Sequence, residues 1–201
     1  MEVFSSSNSP FSIVNHRLVG GGVIHVVCEK NRRGLGEPDM IILHYTGGTS
    51  AMSSAKFLAR SDVKASAHVV IGRDGQVIQM VPFNIEAWHA GKSSYGGRNE
   101  LNHYSIGIEL DNLGQLRLEG GKFVAECGRE VPVKEVYTED LGEVPTYWHD
   151  YTDVQMRVLN EVCGLLVATY PIGDIVGHSD VTSRKVDPGP ALRVADWIKF
   201  Y

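Results

Sequence analysis

The sequence is short of cysteine, of long apolar runs and of positive charge, and each shortage removes a class of protein. Its three cysteines, Cys28, Cys127 and Cys163, are odd in number, far apart and outside any C-x-x-C spacing. That argues against a disulfide framework or a thiolate metal site and fits a reducing compartment. No apolar stretch approaches the roughly 20 residues that cross a bilayer, so membrane insertion is not expected. A net charge of −5, from 24 acidic and 19 basic residues, argues against a nucleic-acid partner. The opening Met1-Glu2-Val3-Phe4 lacks a basic segment followed by an apolar one, which predicts no signal peptide and a cytoplasmic protein. A G-x-S-x-G elbow, a P-loop and a G-x-G-x-x-G turn are all missing, which sets aside serine-hydrolase and nucleotide chemistry. Internal repeats and domain linkers are missing too.

What is present suits one compact domain over residues 1–201, 43% hydrophobic, with a polar N-terminal arm at 1–20. Val23 to Cys28 reads as a strand by its β-branched content. Met40 to Tyr45 is a continuous apolar run, the pattern of a strand buried on both faces. Ser50 to Arg60 reads as helix, and Ala67–Ile71 with Gln76–Val81 flank Arg73-Asp74-Gly75 as a hairpin. Residues 84–104 read as a surface loop, and Ser105 to Leu110 as a second buried strand. Residues 112–149 carry no core-forming run, which predicts an inserted excursion with a short hairpin. Thr152-x-x-Gln155 opens a helix to about Tyr170, with Val154, Val158, Val162, Leu165 and Leu166 as its apolar stripe. A strand at Asp174–Val176 and a closing helix from Ala191 complete an α/β fold, a central mixed β-sheet flanked by helices.

Chemistry concentrates at two strand ends and one loop. His44 ends the Met40 strand, and Gly177-His178-Ser179-Asp180 leads to Arg184-Lys185-Val186-Asp187-Pro188-Gly189-Pro190. Two imidazoles and a carboxylate are the donor set of a catalytic zinc site, in which a fourth position stays open. Each residue also has a plainer role: His44 and His178 as hydrogen-bonded core histidines, Asp187 as a turn former. Glu109, near the end of a buried strand, needs a partner because an unpaired buried charge is costly. Either Arg73 or Arg98 pairs with it, or it serves as general base toward a water at the metal. Lys185 is either a solvated loop charge or a donor to a developing oxyanion. Trp88, Tyr95 and Arg98 either anchor their loop or meet substrate, aromatic faces stacking on sugars and the guanidinium clamping a carboxylate. His16, His25 and His149 stand outside any motif.

In seven ordered motifs the chain resembles the zinc-dependent type 2 N-acetylmuramoyl-L-alanine amidases, related to phage lysozyme-type amidases and peptidoglycan recognition proteins. They are Ile41-Ile42-Leu43-His44-Tyr45-Thr46, Ser66-Ala67-His68, Arg73-Asp74-Gly75, Trp88-His89-Ala90-Gly91, Ser105-Ile106-Gly107-Ile108-Glu109, Gly177-His178-Ser179-Asp180 and Lys185-Val186-Asp187-Pro188-Gly189-Pro190. The resemblance implies Zn2+ held by His44, His178 and Asp187, with Glu109 as acid/base and Lys185 as the transition-state lysine. It implies substrate contacts at Tyr45, Trp88, His89 and Arg98, with His89 touching substrate or fixing its loop. His68 is expected to wall the site or to pack, and His103 falls at a variable position. The implied reaction is hydrolysis of the amide joining N-acetylmuramic acid to L-alanine in peptidoglycan or muropeptides. Aspartate as third ligand resembles the cell-wall-recycling branch, while the 112–149 excursion resembles inserts of phage-associated or other bacterial amidases. A phage origin would add release to the cell wall. The rival reading is a non-catalytic peptidoglycan-binding module, which usually lacks a ligand; here all three positions are filled.

Overall fold

The structure is a computed structural model that describes residues 9–30, 33–142 and 144–192. A hairpin of β1 (Phe11–Val14) and β2 (Arg17–Gly20) is followed by β3 (Ile24–His25), β4 (Met40–Tyr45) and helix α1 (Ala51–Ala59). Then come β5 (Val69–Ile71), β6 (Val77–Gln79), the short β7 (Ser94–Tyr95) and β8 (Arg98–Asn99), and β9 (Ser105–Leu110). An inserted stretch holds β10 (Gln115–Glu119), β11 (Lys122–Ala125), β12 (Glu130–Val131), β13 (Val136–Glu139) and β14 (Thr146–His149). Helix α2 (Asp153–Thr169), β15 (Asp174–Gly177) and the single turn α3 (His178–Val181) close the described chain. Among the described residues no helix is long and apolar enough to cross a membrane.

The central sheet is mixed, in the order β15-β4-β9-β5-β6-β3, with β5 and β6 antiparallel and every other neighbouring pair parallel. Side chains alternate across it. Ile41, Leu43, Ile106, Ile108 and Leu110 face α2 and bury against Leu159, Val162, Cys163 and Leu166. The intervening Met40 and Ile42 face the other way, toward Ala90, Leu101, Val176 and Val181. Farther along that face Val70 and Ile78 meet Ala51 and Ala55 of α1. His44 and Glu109 are register partners and continue this second face to the C-terminal ends of their strands. Ligands gather at that edge in open α/β sheets.

Both main helices are capped as their sequences require. The Ser50 hydroxyl accepts from the Ser53 amide, and Thr152 from the Gln155 amide. The stripe of α2 is rotated from expectation: Leu159 and Cys163 point inward, whereas Val154 is 40% exposed. Gln155 sets the phase, because its buried Nε2 donates to the carbonyls of Ile71 and Asp111 and turns that side of the helix to the sheet. The strand expected over Val23–Cys28 pairs regularly only at Ile24–His25, and Val26 and Cys28 then bond singly to Gln79 and Met80 at the sheet's edge.

Two stretches depart further from their sequence readings. Residues 84–104 are not merely a surface loop: Glu86, Ala87, His89, Ala90, Ser93 and Leu101 are buried. Side chains serve their amides, with Asn102 Oδ1 accepting from both His89 and Ala90, and Ser66 Oγ from Trp88. The 112–149 excursion is a five-stranded antiparallel sheet, ordered β12-β11-β10-β14-β13, rather than a short hairpin. Leu113, Leu116, Ala125 and Val131 form its small core, with Phe123, Val136 and Tyr147 packed on them. Each short strand gives one or two inward residues at alternate positions, so no apolar run marks it. The closing helix expected from Ala191 falls almost wholly outside the described residues.

Candidate metal centre

Three buried donors converge beyond the ends of β4 and β15. His44 Nδ1 lies 3.0 Å from His178 Nδ1 and 2.9 Å from Asp187 Oδ2, and His178 Nδ1 lies 2.9 Å from the same oxygen. The outer nitrogens show what the inner ones carry. His178 Nε2 faces the Ala90 carbonyl at 3.3 Å, so it holds the proton. His89 Nε2 faces the Ser105 carbonyl at 3.4 Å, which leaves His89 Nδ1 to accept from His44 Nε2 at 3.0 Å. Both Nδ1 atoms are then bare lone pairs aimed at a carboxylate oxygen. Such a triangle repels itself without a cation at its centre, and outer N–H groups engaged in this way are the usual support of metal-bound histidines. The residues therefore fit a divalent metal.

Electrostatics agree with neutral imidazoles around an ionised acid. Burial holds His44 below the ordinary histidine value against the pull of the Asp187 carboxylate. Burial also drives His89 far down, helped by its neighbours His44 and His68. Burial opposes the charge on Asp187, but its close contacts with the His178 and His44 rings outweigh it and keep the acid well below its usual range. Glu109 is the opposite case. Burial and the nearby Asp187 push it up to about 8, Lys185 pulling the other way, and its buried Oε2 has no hydrogen-bond partner. Neither arginine weighed as its partner reaches it: Arg73 binds Glu135 and the Asp150 carbonyl, and Arg98 binds Asp39. Glu109 instead lines an open cavity of about 420 Å³ with the Thr46–Thr49 turn, Phe57 of α1 and Cys127 of the insert.

The remaining expected site residues are scattered. Lys185 is exposed on the loop before Asp187, near enough for its charge to bear on Glu109 and His44. Burial, with the charge of Asp187, raises the Tyr45 hydroxyl to about 12, the nearby Gln115 amide opposing the rise. Trp88 is exposed but does not line the Glu109 cavity. Arg98 is not brought to the cleft at all. It pairs with Asp39 at 2.6 Å and stacks over Tyr104 at 4.9 Å, by the start of β4, about 16 Å along that strand from His44.

His89 is buried against His44, its Nδ1 3.0 Å from His44 Nε2, and orients that imidazole. The available sequence signal was Gly107, a glycine inside a buried strand. A Cβ there would lie 2.3 Å from the His89 ring, so only glycine lets the ring reach under His44. Gly107→Ala is expected to cost about 1–3 kcal/mol in thermal unfolding and to weaken metal binding together with it. His68 is a packing residue: its Nδ1 accepts from the Gly107 amide, its Nε2 donates to Ile85, and burial lowers it to about 4.

Fold and site together define an α/β protein with a buried His-His-Asp donor set, beside a carboxyl, that of Glu109, which lines an open cavity. Comparison with known proteins narrows that class. The chain belongs to the N-acetylmuramoyl-L-alanine amidase family, whose model matches residues 34–190. It is 36% identical over 159 residues to the 1,6-anhydro-N-acetylmuramyl-L-alanine amidase AmpD of Salmonella typhimurium, a match covering 78% of this chain and 66% of the relative. The chain thus spans about two thirds of that protein's length. A crystal structure of an AmpD selenomethionine derivative superposes with a TM-score of 0.62 at 27% identity, covering 94% of this chain and 98% of that one. AmpDh3 of Pseudomonas aeruginosa, solved in complex with anhydromuramic pentapeptide, gives a TM-score of 0.61 at 27% identity over 84% of this chain and 61% of that one.

Proposed function

We propose that this chain hydrolyses the amide between N-acetylmuramic acid and L-alanine in soluble muropeptides, with zinc held by His44, His178 and Asp187. The observation that carries the reading is the convergence of three buried donors beside a carboxyl group, that of Glu109, which has one oxygen orphaned. Nitrogen and oxygen donors, three in number, suit a zinc centre that keeps a position open for catalysis. Their 2.9–3.0 Å separations come near the roughly 3.3 Å edge of a tetrahedron with zinc bonds of about 2.0–2.1 Å. When bound, zinc supplies Lewis acidity, polarising the scissile carbonyl and bringing a water's pKa toward about 7.

The chain's own groups do the rest. Glu109 takes the proton of the attacking water and passes it to the departing alanine nitrogen. A carboxyl held near 8 by burial is matched to that double task, and a neighbouring dication favours its ionised form. The Lys185 ammonium meets the negative charge that develops on the carbonyl oxygen. His89 holds His44 in the tautomer that presents Nδ1. The Glu109 cavity receives the substrate, with the exposed Phe57 ring as an apolar face.

The relatives' names support the anhydro sugar as the substrate form, and a soluble recycling intermediate goes with action in the cytoplasm. Soluble anhydro-muropeptide and intact sacculi, each digested by the zinc-loaded chain and read by mass spectrometry, test both parts. Free stem peptide and anhydro sugar are expected at least tenfold faster from the soluble substrate. Faster release from sacculi would reject the substrate form, and no peptide from either would reject the activity.

A further inference from the structure

The insert is rooted against the metal centre by residues at its two ends. Gln115 of β10 and Trp148 of β14 are register partners, and each touches a different donor-bearing segment. The Gln115 amide stands near enough to the hydroxyl of Tyr45, the residue after His44, to offset part of the burial that raises that group. Beside it, Gly114 has a φ of +75°, and a Cβ there would come 2.5 Å from the Tyr45 ring, so backbone lies directly on the ring. On the other strand, the Trp148 indole lies on Gly189, two residues past Asp187, where a Cβ would come within 2.7 Å of it. Its Nε1 donates to Thr146 Oγ1 at 2.9 Å, which fixes the plane of the ring. Just after β14, the buried Tyr151 hydroxyl donates to the Pro188 carbonyl at 2.8 Å.

These contacts brace the donor triangle from outside the central sheet. The Asp187 segment is tied to the core on one side by the Ser179 amide, which donates to the Asp187 carbonyl at 2.9 Å. On its other side the described residues supply Trp148 and Tyr151. The pairing of β4 with β15 brings His44 beside His178, and the contacts of the insert brace the outer sides of the Tyr45 and Pro188-Gly189 segments. We propose that the root of the insert, Gln115, Trp148 and Tyr151, is a positioning wall that holds the His44 and Asp187 segments at the separation one metal ion needs. The inference rests on the metal reading above and gives the insert a part in it. The far end of the insert is a spectator in this respect: Leu118 of β10 and Leu141 of the β13–β14 turn are 50% and 82% exposed. Outer groups that orient ligands typically contribute about 10–100-fold in metal affinity. Linkage then requires metal binding to stiffen the root in return.

The test is zinc affinity of the full chain by chelator competition, beside thermal unfolding of the metal-free protein. Tyr151→Phe removes one oxygen and leaves the ring packed, so it should unfold near the wild-type temperature yet bind zinc about tenfold more weakly. Trp148→Ala should weaken zinc at least as much, Trp148→Phe should restore most of it, and Leu141→Ala should change nothing. Added zinc should slow amide exchange at Gln115 and Trp148. If Tyr151→Phe and Trp148→Ala bind zinc within twofold of wild type, whatever their stability, the root is merely structural and the inference falls. A wild-type chain that binds no zinc would instead overturn the metal reading, and this inference with it.

Discussion

Glu109→Gln is expected to lower turnover by at least about 10²–10⁴-fold while leaving zinc affinity within a few-fold of wild type. Glutamine keeps the shape and removes the proton-accepting oxygen, so the loss reads out the proton transfer rather than the packing. A second readout is independent of activity. The metal-free wild type holds Glu109 at about 8, above its unfolded value of about 4.3, so the folded state binds the extra proton. Its stability is therefore greatest below about pH 4.3 on this account and falls as pH climbs through 8. The variant has no such group and should show a flatter decline in melting temperature between pH 5 and 9. Near wild-type cleavage by Glu109→Gln would reject the role.

Asp187→Ala carries the other large effect: no measurable zinc at micromolar concentration and no turnover. Two imidazoles left 3.0 Å apart without a carboxylate lose both the charge and the third donor. The consequence is visible without substrate. Zinc at about a thousand times its dissociation constant should stabilise the wild type by about 4 kcal/mol, roughly a 10 °C rise in melting temperature. Asp187→Ala should show almost none of that rise. An unchanged zinc shift in the variant would place the metal elsewhere.

The two central strands were legible because parallel strands buried on both faces must be apolar at every position. Met40–Tyr45 and Ser105–Leu110 form over the expected residues. The Thr152 cap was legible for a local reason, a hydroxyl three residues before an amide that needs an acceptor. The face of α2 was not, since Val154 and Leu159 are equally apolar and only Gln155, bonded to two strand carbonyls, chooses between them. The insert's sheet was hidden because its apolar residues alternate singly through short strands.

The site divides the same way. The ordered motifs in combination singled out His44, His178, Asp187 and Glu109, since each of them taken alone has a plainer use. Type alone could not separate His89 from a substrate contact, nor Arg98 from a clamp: burial beneath His44 claims the first, and Asp39 the second. The sequence by itself determined which donors this protein owns and which strands carry them, since both follow from side-chain chemistry and local pattern. Only the tertiary structure decided that lone pairs from segments more than a hundred residues apart share one point, and that an inserted sheet stands against two of those segments. Such distances depend on how every layer packs, and no local pattern records that.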